Sequence, residues 1–405
     1  MGWRLGLILL IVLRVGLGLV GVVAINLAPR AGNVHGNWED LVIRGGEPWS
    51  QILSMWQRWD ALWYQHIADN GYAAGDGSTA FFPLYPLLAR VVAITLGGQF
   101  IWAALLVSSV AFVVAIWLLY EVARLEIRTH AHEREASQRQ GVLASAMSAP
   151  YLAVLLIALF PVSFFLLAPY TEGLFLALTL GAFLLARTNR PWAAGATGFL
   201  ASLTRAQGIF LALPLAFEYL QRHEVFAWIL RRGGKPPGLG LAASALPVLG
   251  SLGVTAFQRI VVGEERSALE VLAFWGYQIV PPWDALFASW AHIRAGGAHG
   301  NLAEIEALNL ICLLGFSLIA LLATRRLPFA YALYMWPSLA LLASRIAFLS
   351  PLMSVSRYVL VLFPCFIFSA AWLSARPRLA IAWLVGSTLL LVALLQYWAR
   401  WGFVG

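Results

Sequence analysis

The segment RWDALWYQHIADNGY, residues 58–72, holds the carboxylate best placed to do chemistry, that of Asp60. If residues 52–68 form one helix, large apolar side chains recur along it at spacings of three and four and make a single face. The members of that face are Trp56, Trp59, Trp63 and Ile67. This pattern predicts a helix lying flat at a membrane surface, with Asp60 at the edge of the apolar face. Two interpretations stay open for Asp60: a solvated acid beside tryptophan anchors, or an acid that meets a substrate with its tail in lipid and its head in water.

Two further ionisable residues interrupt apolar sequence between 159 and 209. Glu172 follows Pro169-Tyr170-Thr171 at a break between hydrophobic segments, where capping or stabilisation of the helix dipole is the simplest role for it. Arg205 lies within an apolar stretch, midway between two basic loops. Because a charge in lipid is costly, an ionisable residue inside a membrane segment is a functional-site hypothesis by default.

Two arginines, Arg345 and Arg357, flank the turn SPLMSVS, around 349–356, which is predicted to be external. An arginine on that side runs against the usual charge distribution and needs an anionic partner. The candidates are Asp60, Glu172 or a lipid phosphate. Since the guanidinium fork pairs bidentately with phosphate, at least one of the arginines at 205, 345 and 357 is predicted to bind phosphate, with structural salt bridges and interfacial snorkelling as the alternatives.

The composition indicates that these residues belong to a membrane protein. Of 405 residues, 61% are hydrophobic and 11% charged, against about 45–50% and about 25% in ordinary soluble domains. About eleven hydrophobic segments recur along the chain, many of the roughly 17–25 residues that an α-helix needs to cross a bilayer. They lie near 5–28, 80–97, 100–122, 143–168, 172–187, 192–220, 240–262, 303–324, 328–348, 357–374 and 380–400. The sequence therefore predicts an all-α, polytopic transmembrane helical bundle with about 10–12 membrane segments, as a single integral membrane domain over residues 1–405.

The loops predict which parts of this bundle share a side of the membrane. Short loops rich in arginine are predicted to face the cytoplasm. The more acidic segment 29–79 is predicted to be an external loop whose interfacial helix carries the candidate acid, and 263–302 and 349–356 fall outside by the same alternation. Between 80 and 220, the number of predicted spans does not place every arginine-rich loop on the cytoplasmic side. Segments 80–97 or 192–220 could therefore be re-entrant or paired short helices. The net charge of +8 is spread over these loops, which suits membrane topology and argues against nucleic acid as a partner.

Other chemistries find little support in the sequence. It contains no Walker A, HExxH or CxxC motif and no paired glycine-rich dinucleotide motif. Cys312 and Cys365 lie in apolar segments, where thiols pack as small hydrophobes. No metal site and no required cofactor are predicted, and a divalent metal is not excluded.

Five motifs together resemble those of the PIG-V type mannosyltransferases. They are WDALWYQHIADNGY, AFFPLYPLL, FPVSFFLLAPYTEGLF, RPWAAGATGFLASLTRAQG and SVSRYVLVLFP. These are membrane glycosyltransferases of the GT-C class, related to the enzyme that adds the second mannose of the GPI anchor. The resemblance runs from about 52 to 370, and the first two motifs are its most specific part. It implies a GT-C-like bundle and inverting transfer of a sugar, usually mannose, from a polyprenyl- or dolichyl-phosphate donor on the outer side.

The resemblance also assigns roles to residues. It implies that Asp60 is the catalytic base, which accepts the proton of the acceptor hydroxyl. No protein acid is needed, because a phosphate monoester with a second pKa of about 6 can leave unaided. The donor phosphate is expected on Arg205, Arg345 and Arg357. The family pattern suggests that Tyr64, Phe81, Phe82 and Pro83 shape the substrate cavity and that Glu172 and Tyr358 line it with the arginines at 205 and 357. Trp59, His66, Tyr85 and Gln207 are also expected in the cavity.

The expected partners are a polyprenyl-phosphate-linked sugar donor, a lipid, glycan or protein acceptor, and the bilayer. A single lysine, abundant arginine and alanine, and short loops favour a bacterial or archaeal cell membrane, with the active site on the extracytoplasmic side. The GPI substrate itself is not carried over. A transporter or lipid flippase is the competing hypothesis. It predicts ionisable residues near the midplane and internal repeats, whereas the acids here gather in one external segment. A non-catalytic membrane scaffold is a third possibility.

Overall fold

Helices make up nearly all of the structure, a computed structural model that describes residues 2–32, 40–43, 45–131, 148–296 and 302–404. The α-helices are Gly2–Leu27, Pro48–Ser54, Asp60–Asn70, Leu84–Thr95, Phe100–Ala131, Ala149–Ala158, Glu172–Arg187, Pro191–Ser202, Ala212–Arg222, Val225–Ile229, Leu246–Ala256, Ala268–Phe274, Pro282–Arg294, Leu302–Thr324, Phe329–Ala343, Val355–Tyr358, Phe363–Ser374 and Pro377–Ala399. Short 3₁₀ turns follow several of them, and two three-residue strands complete the fold. The predicted all-α class is confirmed.

Five helices in the described part of the chain are long and apolar enough to cross a membrane. They are Gly2–Leu27, Phe100–Ile127, Leu239–Val262, Ala303–Thr324 and Pro377–Ala399. A sixth span exists if Val355–Val361 and Phe363–Ser374, bent by 78° at a short break, are counted as one. The outer faces of these helices expose large aliphatic side chains, as a lipid-facing surface requires. The chain is an integral membrane protein, as predicted.

Other hydrophobic segments fold as shorter pieces. Helix Leu84–Thr95 has 12 residues and so spans only about 18 Å of the roughly 30 Å of hydrocarbon. Segment 192–220 is two helices, Pro191–Ser202 and Ala212–Arg222, joined through the 3₁₀ turn Ala206–Leu211. The alternative of paired short helices is therefore confirmed for 192–220, and the break falls beside Arg205.

The predicted continuous helix over 52–68 is wrong. The structure has one helix over Pro48–Ser54 and another over Asp60–Asn70, and Trp59 between them has a φ of 51°. Arg58 explains the break, because its guanidinium turns back to the carbonyls of Ser54 and Ala399, the ends of two helices. The expected face of tryptophans is consequently divided.

The tryptophans of this segment pack against protein. Trp56 is 2% exposed and lies 5.8 Å, between ring centroids, from Trp398. Trp59 meets Trp401 and Phe403 edge-on. These contacts pack the segment against the C-terminal helix and the residues that follow it. The tryptophan rings therefore contribute to packing inside the protein.

A two-stranded antiparallel ladder joins two segments that were predicted to share a side. Strand Tyr277–Ile279 pairs with Arg345–Ala347, with Tyr277 opposite Ala347 and Ile279 opposite Arg345. Just before this strand, Trp275 lies edge-on to Trp63 at 5.1 Å. The three segments predicted to be external, around 60, 275 and 350, therefore contact one another.

Arg187, Glu126 and Glu218 form an ion cluster within the bundle. Arg187 donates to both carboxylate oxygens of Glu126, at 3.0 and 3.1 Å, and lies 3.4 Å from Glu218. The Tyr331 hydroxyl donates to Glu126 as well. Arg187 begins a basic loop predicted to face the cytoplasm, and this cluster ties together the helices that surround it.

Candidate active site

A cavity of about 170 Å³ lies where the three predicted external segments meet. Nine of the residues expected at the site line its wall: Asp60, Tyr64, Phe81, Phe82, Arg205, Gln207, Arg345, Arg357 and Tyr358. These residues are drawn from separate helices and turns across most of the chain. The tertiary structure therefore brings together groups that no local pattern links.

Asp60 is held by an arginine from the far end of the chain. Arg357 Nη1 donates to Asp60 Oδ2 at 2.8 Å, and the Asp60 side chain keeps 27% of its surface exposed. Asp60 is the first residue of its helix, where the helix dipole favours a negative charge. The carboxylate is thus fixed by one contact while it remains accessible from the cavity.

Glu172 lies behind the cavity wall between two arginines. Its Oε1 is 2.5 Å from Arg205 Nη1 and 3.1 Å from Arg357 Nε, the second an ion pair without hydrogen-bond geometry. Thr171 Oγ1 accepts a further bond from Arg205 at 3.1 Å. The side chain of Glu172 is 1% exposed. Glu172 therefore serves as the counter-ion of Arg205 and Arg357, and the helix that it begins has no side-chain cap.

Arg345 stands apart from the other two arginines. Its Nε and Nη2 atoms are buried without a hydrogen-bond partner, and its guanidinium lies over the rings of Tyr277 and Tyr358 at 5.0 and 4.6 Å. Neither Asp60 nor Glu172 is at ion-pair distance from it within the described structure. Three arginines against two carboxylates leave one excess positive charge at the cavity. Such a site is complementary to an anion.

Gln207 provides neutral polar groups on the wall. It lies in the 3₁₀ turn Ala206–Leu211, is 4% exposed, and neither its Oε1 nor its Nε2 has a hydrogen-bond partner. Buried amides without partners are rare because the lost hydrogen bonds are costly. An NH2 donor group and a carbonyl acceptor in the cavity wall suit the hydroxyl groups of a sugar.

An aromatic cluster packs beside the cavity, with Tyr64 and Phe81 on its wall. Trp63 stacks on Phe81 at 5.5 Å, and Tyr64 meets Phe81 edge-on at 5.3 Å. Trp275 closes against both Trp63 and Phe81. Burial raises the pKa of Tyr64 well above its ordinary value, so the phenol stays neutral. This cluster fixes the helix that begins at Asp60.

Five expected residues lie outside the cavity wall. Trp59 packs on the C-terminal segment, and His66 Nε2 is 3.8 Å from Asp76 on the surface of the 60–70 helix. Pro83 precedes helix Leu84–Thr95, and the fully buried Tyr85 donates to or accepts from Ser108 behind Tyr64. Glu172 acts through its arginines.

Sequence reasoning missed several members of the wall. Thr171 and Thr204 present hydroxyls, and an apolar side is made by Leu272, Leu341 and Leu342. The threonines are adjacent in sequence to Glu172 and Arg205, which was a usable signal. The leucines are indistinguishable from other membrane leucines. Within the described residues, no group of three or more His, Cys, Asp or Glu side chains could hold a metal ion.

Residues 45–229 match the family model described as Mannosyltransferase (PIG-V). A relative, GPI alpha-1,6-mannosyltransferase 2 of Rattus norvegicus, is 29% identical over 160 residues, which are 39% of this chain and 30% of that protein. The alignment thus spans less than a third of the relative. The crystal structure of the Archaeoglobus fulgidus oligosaccharyltransferase in complex with Zn and sulfate is similar with a TM-score of 0.38 and 14% identity, covering 95% of this chain and 53% of that one. At that score the similarity establishes nothing further.

Proposed function

From the match of residues 45–229 to the PIG-V mannosyltransferases, which bears out the resemblance drawn from the sequence motifs, we propose that this protein is an inverting membrane glycosyltransferase. It moves a sugar, with mannose the first candidate, from a polyprenyl- or dolichyl-phosphate donor to a hydroxyl acceptor. The observation that carries the proposal is the convergence in one cavity of an accessible carboxylate, Asp60, with a half-buried arginine, Arg345, that has no carboxylate partner among the described residues.

Asp60 acts as the general base. Inversion needs one displacement at the anomeric carbon, in which the acceptor oxygen attacks as the phosphate leaves from the opposite face. The attacking hydroxyl gives its proton to the Asp60 carboxylate in that step. Arg357 restricts the carboxylate through Oδ2 at 2.8 Å, so its orientation is set before the acceptor arrives.

The donor phosphate binds next to Arg345. Negative charge grows on the phosphate oxygens as the glycosidic bond breaks, and preorganised cations stabilise that charge most effectively in a site with little water. Arg345 has two buried nitrogen atoms without partners, and the cavity carries one excess positive charge. Arg205 and Arg357 contribute to the same field while they keep Glu172 as counter-ion.

The sugar binds against Gln207 and the neighbouring threonines. The unpaired amide atoms of Gln207 would gain hydrogen bonds from sugar hydroxyls, and an analogue lacking those hydroxyls would leave them unpaired. The leucines on the apolar side of the wall suit the start of the lipid chain. The acceptor is a lipid, a glycan or a protein, and the site faces the extracytoplasmic side of a bacterial or archaeal membrane, as the loop charges favour.

The test is transfer of radiolabelled mannose from polyprenyl-phosphate-mannose to a lipid or peptide extract by the purified full-length protein. Asp60→Asn should lower transfer by about 10²–10⁴-fold while donor binding is retained. Asp69→Asn is the matched control, because Asp69 lies on the same helix but outside the cavity wall. Arg345→Gln should instead weaken donor binding about tenfold or more, the loss of a charge-assisted contact.

Each outcome has a consequence. Transfer by Asp60→Asn at the wild-type rate would remove Asp60 as the base. An equal loss in Asp69→Asn would indicate damage to the helix rather than to the chemistry. If the wild type transfers from no lipid-linked sugar, the glycosyltransferase proposal fails, and the transporter and scaffold hypotheses move ahead.

A further inference from the structure

Glu306 and Asn309 lie one turn apart on the membrane-spanning helix Leu302–Thr324, and both side chains point at the turn between the two cavity arginines of the 345–357 region. Both are buried, with 0% and 1% of their surface exposed. They lie outside residues 45–229, the part of the chain that matches the family, and neither lines the cavity.

The carboxylate of Glu306 holds the beginning of the turn. Its Oε1 accepts the backbone N–H of Leu352 at 3.0 Å, and its Oε2 accepts the hydroxyl of Ser350. Among the described residues no arginine, lysine or histidine lies at ion-pair distance from it. An acidic side chain buried in a membrane helix is costly, and here its oxygens accept hydrogen bonds from the turn.

Asn309 holds the end of the same turn. Its Oδ1 accepts the backbone N–H of Ser356 at 2.9 Å, and Ser356 directly precedes Arg357. The turn is also tied within itself, because Ala347 N donates to Pro351 O at 3.2 Å and Arg357 N donates to Ser354 O at 3.1 Å. The helix therefore holds the segment between Arg345 and Arg357 at two places, near its middle at Ser350 and Leu352 and at its end at Ser356.

We propose that Glu306 is a positioning residue for the donor phosphate: with Asn309, it fixes the turn so that Arg345 and Arg357 keep their separation and orientation in the cavity. This inference rests on the proposed function for the identity of the anion. Arg345 is the more dependent of the two, because it has no carboxylate to orient it, whereas Arg357 contacts Asp60 and Glu172. Loss of the Glu306 contacts with the turn should therefore weaken phosphate binding by displacing Arg345.

A double-mutant cycle tests this coupling with full-length protein in nanodiscs and a polyprenyl phosphate as the probe. Glu306→Gln should weaken binding of the probe about tenfold in the wild-type background. In the Arg345→Gln background the same change should weaken binding less than about twofold, because the residue through which Glu306 acts is already absent. Ser350→Ala, which removes one donor to Glu306, is a milder second variant for use if Glu306→Gln does not fold.

Glu126→Gln is the matched control, since Glu126 is a carboxylate with 1% exposure that contacts Arg187 and does not touch the turn. It should change stability but weaken probe binding little in either background. A merely structural role for Glu306 predicts lower stability with unchanged affinity, or an equal loss of affinity in both backgrounds. Either result would overturn the inference.

The two proposals fail in different ways. Probe binding by the wild type without coupling between Glu306 and Arg345 refutes the positioning role and leaves the glycosyltransferase proposal standing. Coupling without any sugar transfer refutes the transferase activity and leaves Glu306 as the organiser of a phosphate site. If the wild type binds no polyprenyl phosphate, both are refuted.

Discussion

Glu172→Gln would remove the one carboxylate that separates two buried arginines. Glu172 Oε1 lies 2.5 Å from Arg205 and 3.1 Å from Arg357, and the three side chains are 1%, 9% and 7% exposed. Removal of one partner from a buried ion pair costs about 3–5 kcal/mol, because the remaining charge is left without compensation. Arg357 keeps Asp60, and Arg205 keeps Thr171 and the ring of Tyr358 at 4.5 Å. We therefore expect a loss of about 3 kcal/mol in the free energy of unfolding.

The same change should leave phosphate binding intact. Without the charge of Glu172, the excess at the cavity rises from one positive charge to two, so the affinity for a polyprenyl phosphate should be equal or higher. The unfolding free energy can be followed by tryptophan fluorescence during SDS titration in mixed micelles, and the affinity by titration of the lipid phosphate in nanodiscs. The free energy of unfolding should thus fall while the affinity for the lipid phosphate is kept or increased.

The double variant Glu172→Gln, Arg205→Gln is the internal control. It removes both members of the shorter pair, so it should recover part of the lost stability, with a coupling energy of about 1–3 kcal/mol. An unfolding free energy for Glu172→Gln within about 1 kcal/mol of the wild type would refute the ion network described here. Strict additivity of the two substitutions would do the same.

Three other substitutions probe separate parts of the structure. Gln207→Ala should raise the KM for the donor about three- to tenfold, the worth of a hydrogen bond to a sugar hydroxyl, with little change in Tm because its amide has no protein partner. Gly208→Ala should lower both Tm and transfer, because the new methyl group would overlap the Ser202 backbone and displace the turn beside the cavity; wild-type Tm would contradict this packing. Arg266 holds the pKa of Glu264 below its ordinary value, so Glu264 stabilises the fold above about pH 4.5 and loses that contribution as the pH falls further. The Tm advantage of wild type over Glu264→Gln should therefore shrink between pH 6 and pH 3, and an advantage independent of pH would exclude this pair as its source.

The local pattern predicted the helix over 52–68 wrongly for a reason that lies elsewhere in the chain. The spacing of its tryptophans favours one helix, but Arg58 turns out of the helical path to reach the carbonyl of Ala399, 341 residues away. A contact at that separation in sequence leaves no trace in a window of 17 residues. The helix therefore begins again at Asp60, which puts the acid at a helix N-terminus.

The sequence by itself determined which segments enter the membrane, because this depends on the free energy of transferring each segment from water to lipid. Long apolar segments with few charges must lie in a bilayer, and the acidic and aromatic character of residues 58–72 distinguishes that segment from the basic loops. The need of Arg357 for an acidic partner followed from its place beside a predicted external turn, and Asp60 was one of the partners considered. In the structure, Arg357 forms ion pairs with both Asp60 and Glu172.

Only the tertiary structure decided which groups meet. Asp60 and Arg357 are 297 residues apart, and their contact depends on how the helices between them pack. The unpaired amide of Gln207 and the isolation of Arg345 are likewise properties of what surrounds them, since burial and hydrogen bonding belong to the neighbours as much as to the residue. Glu306 gave no sequence signal because its partners are mostly backbone N–H and hydroxyl groups of a distant turn. Charge and hydropathy can be read one segment at a time, whereas a cavity exists only once the segments are packed.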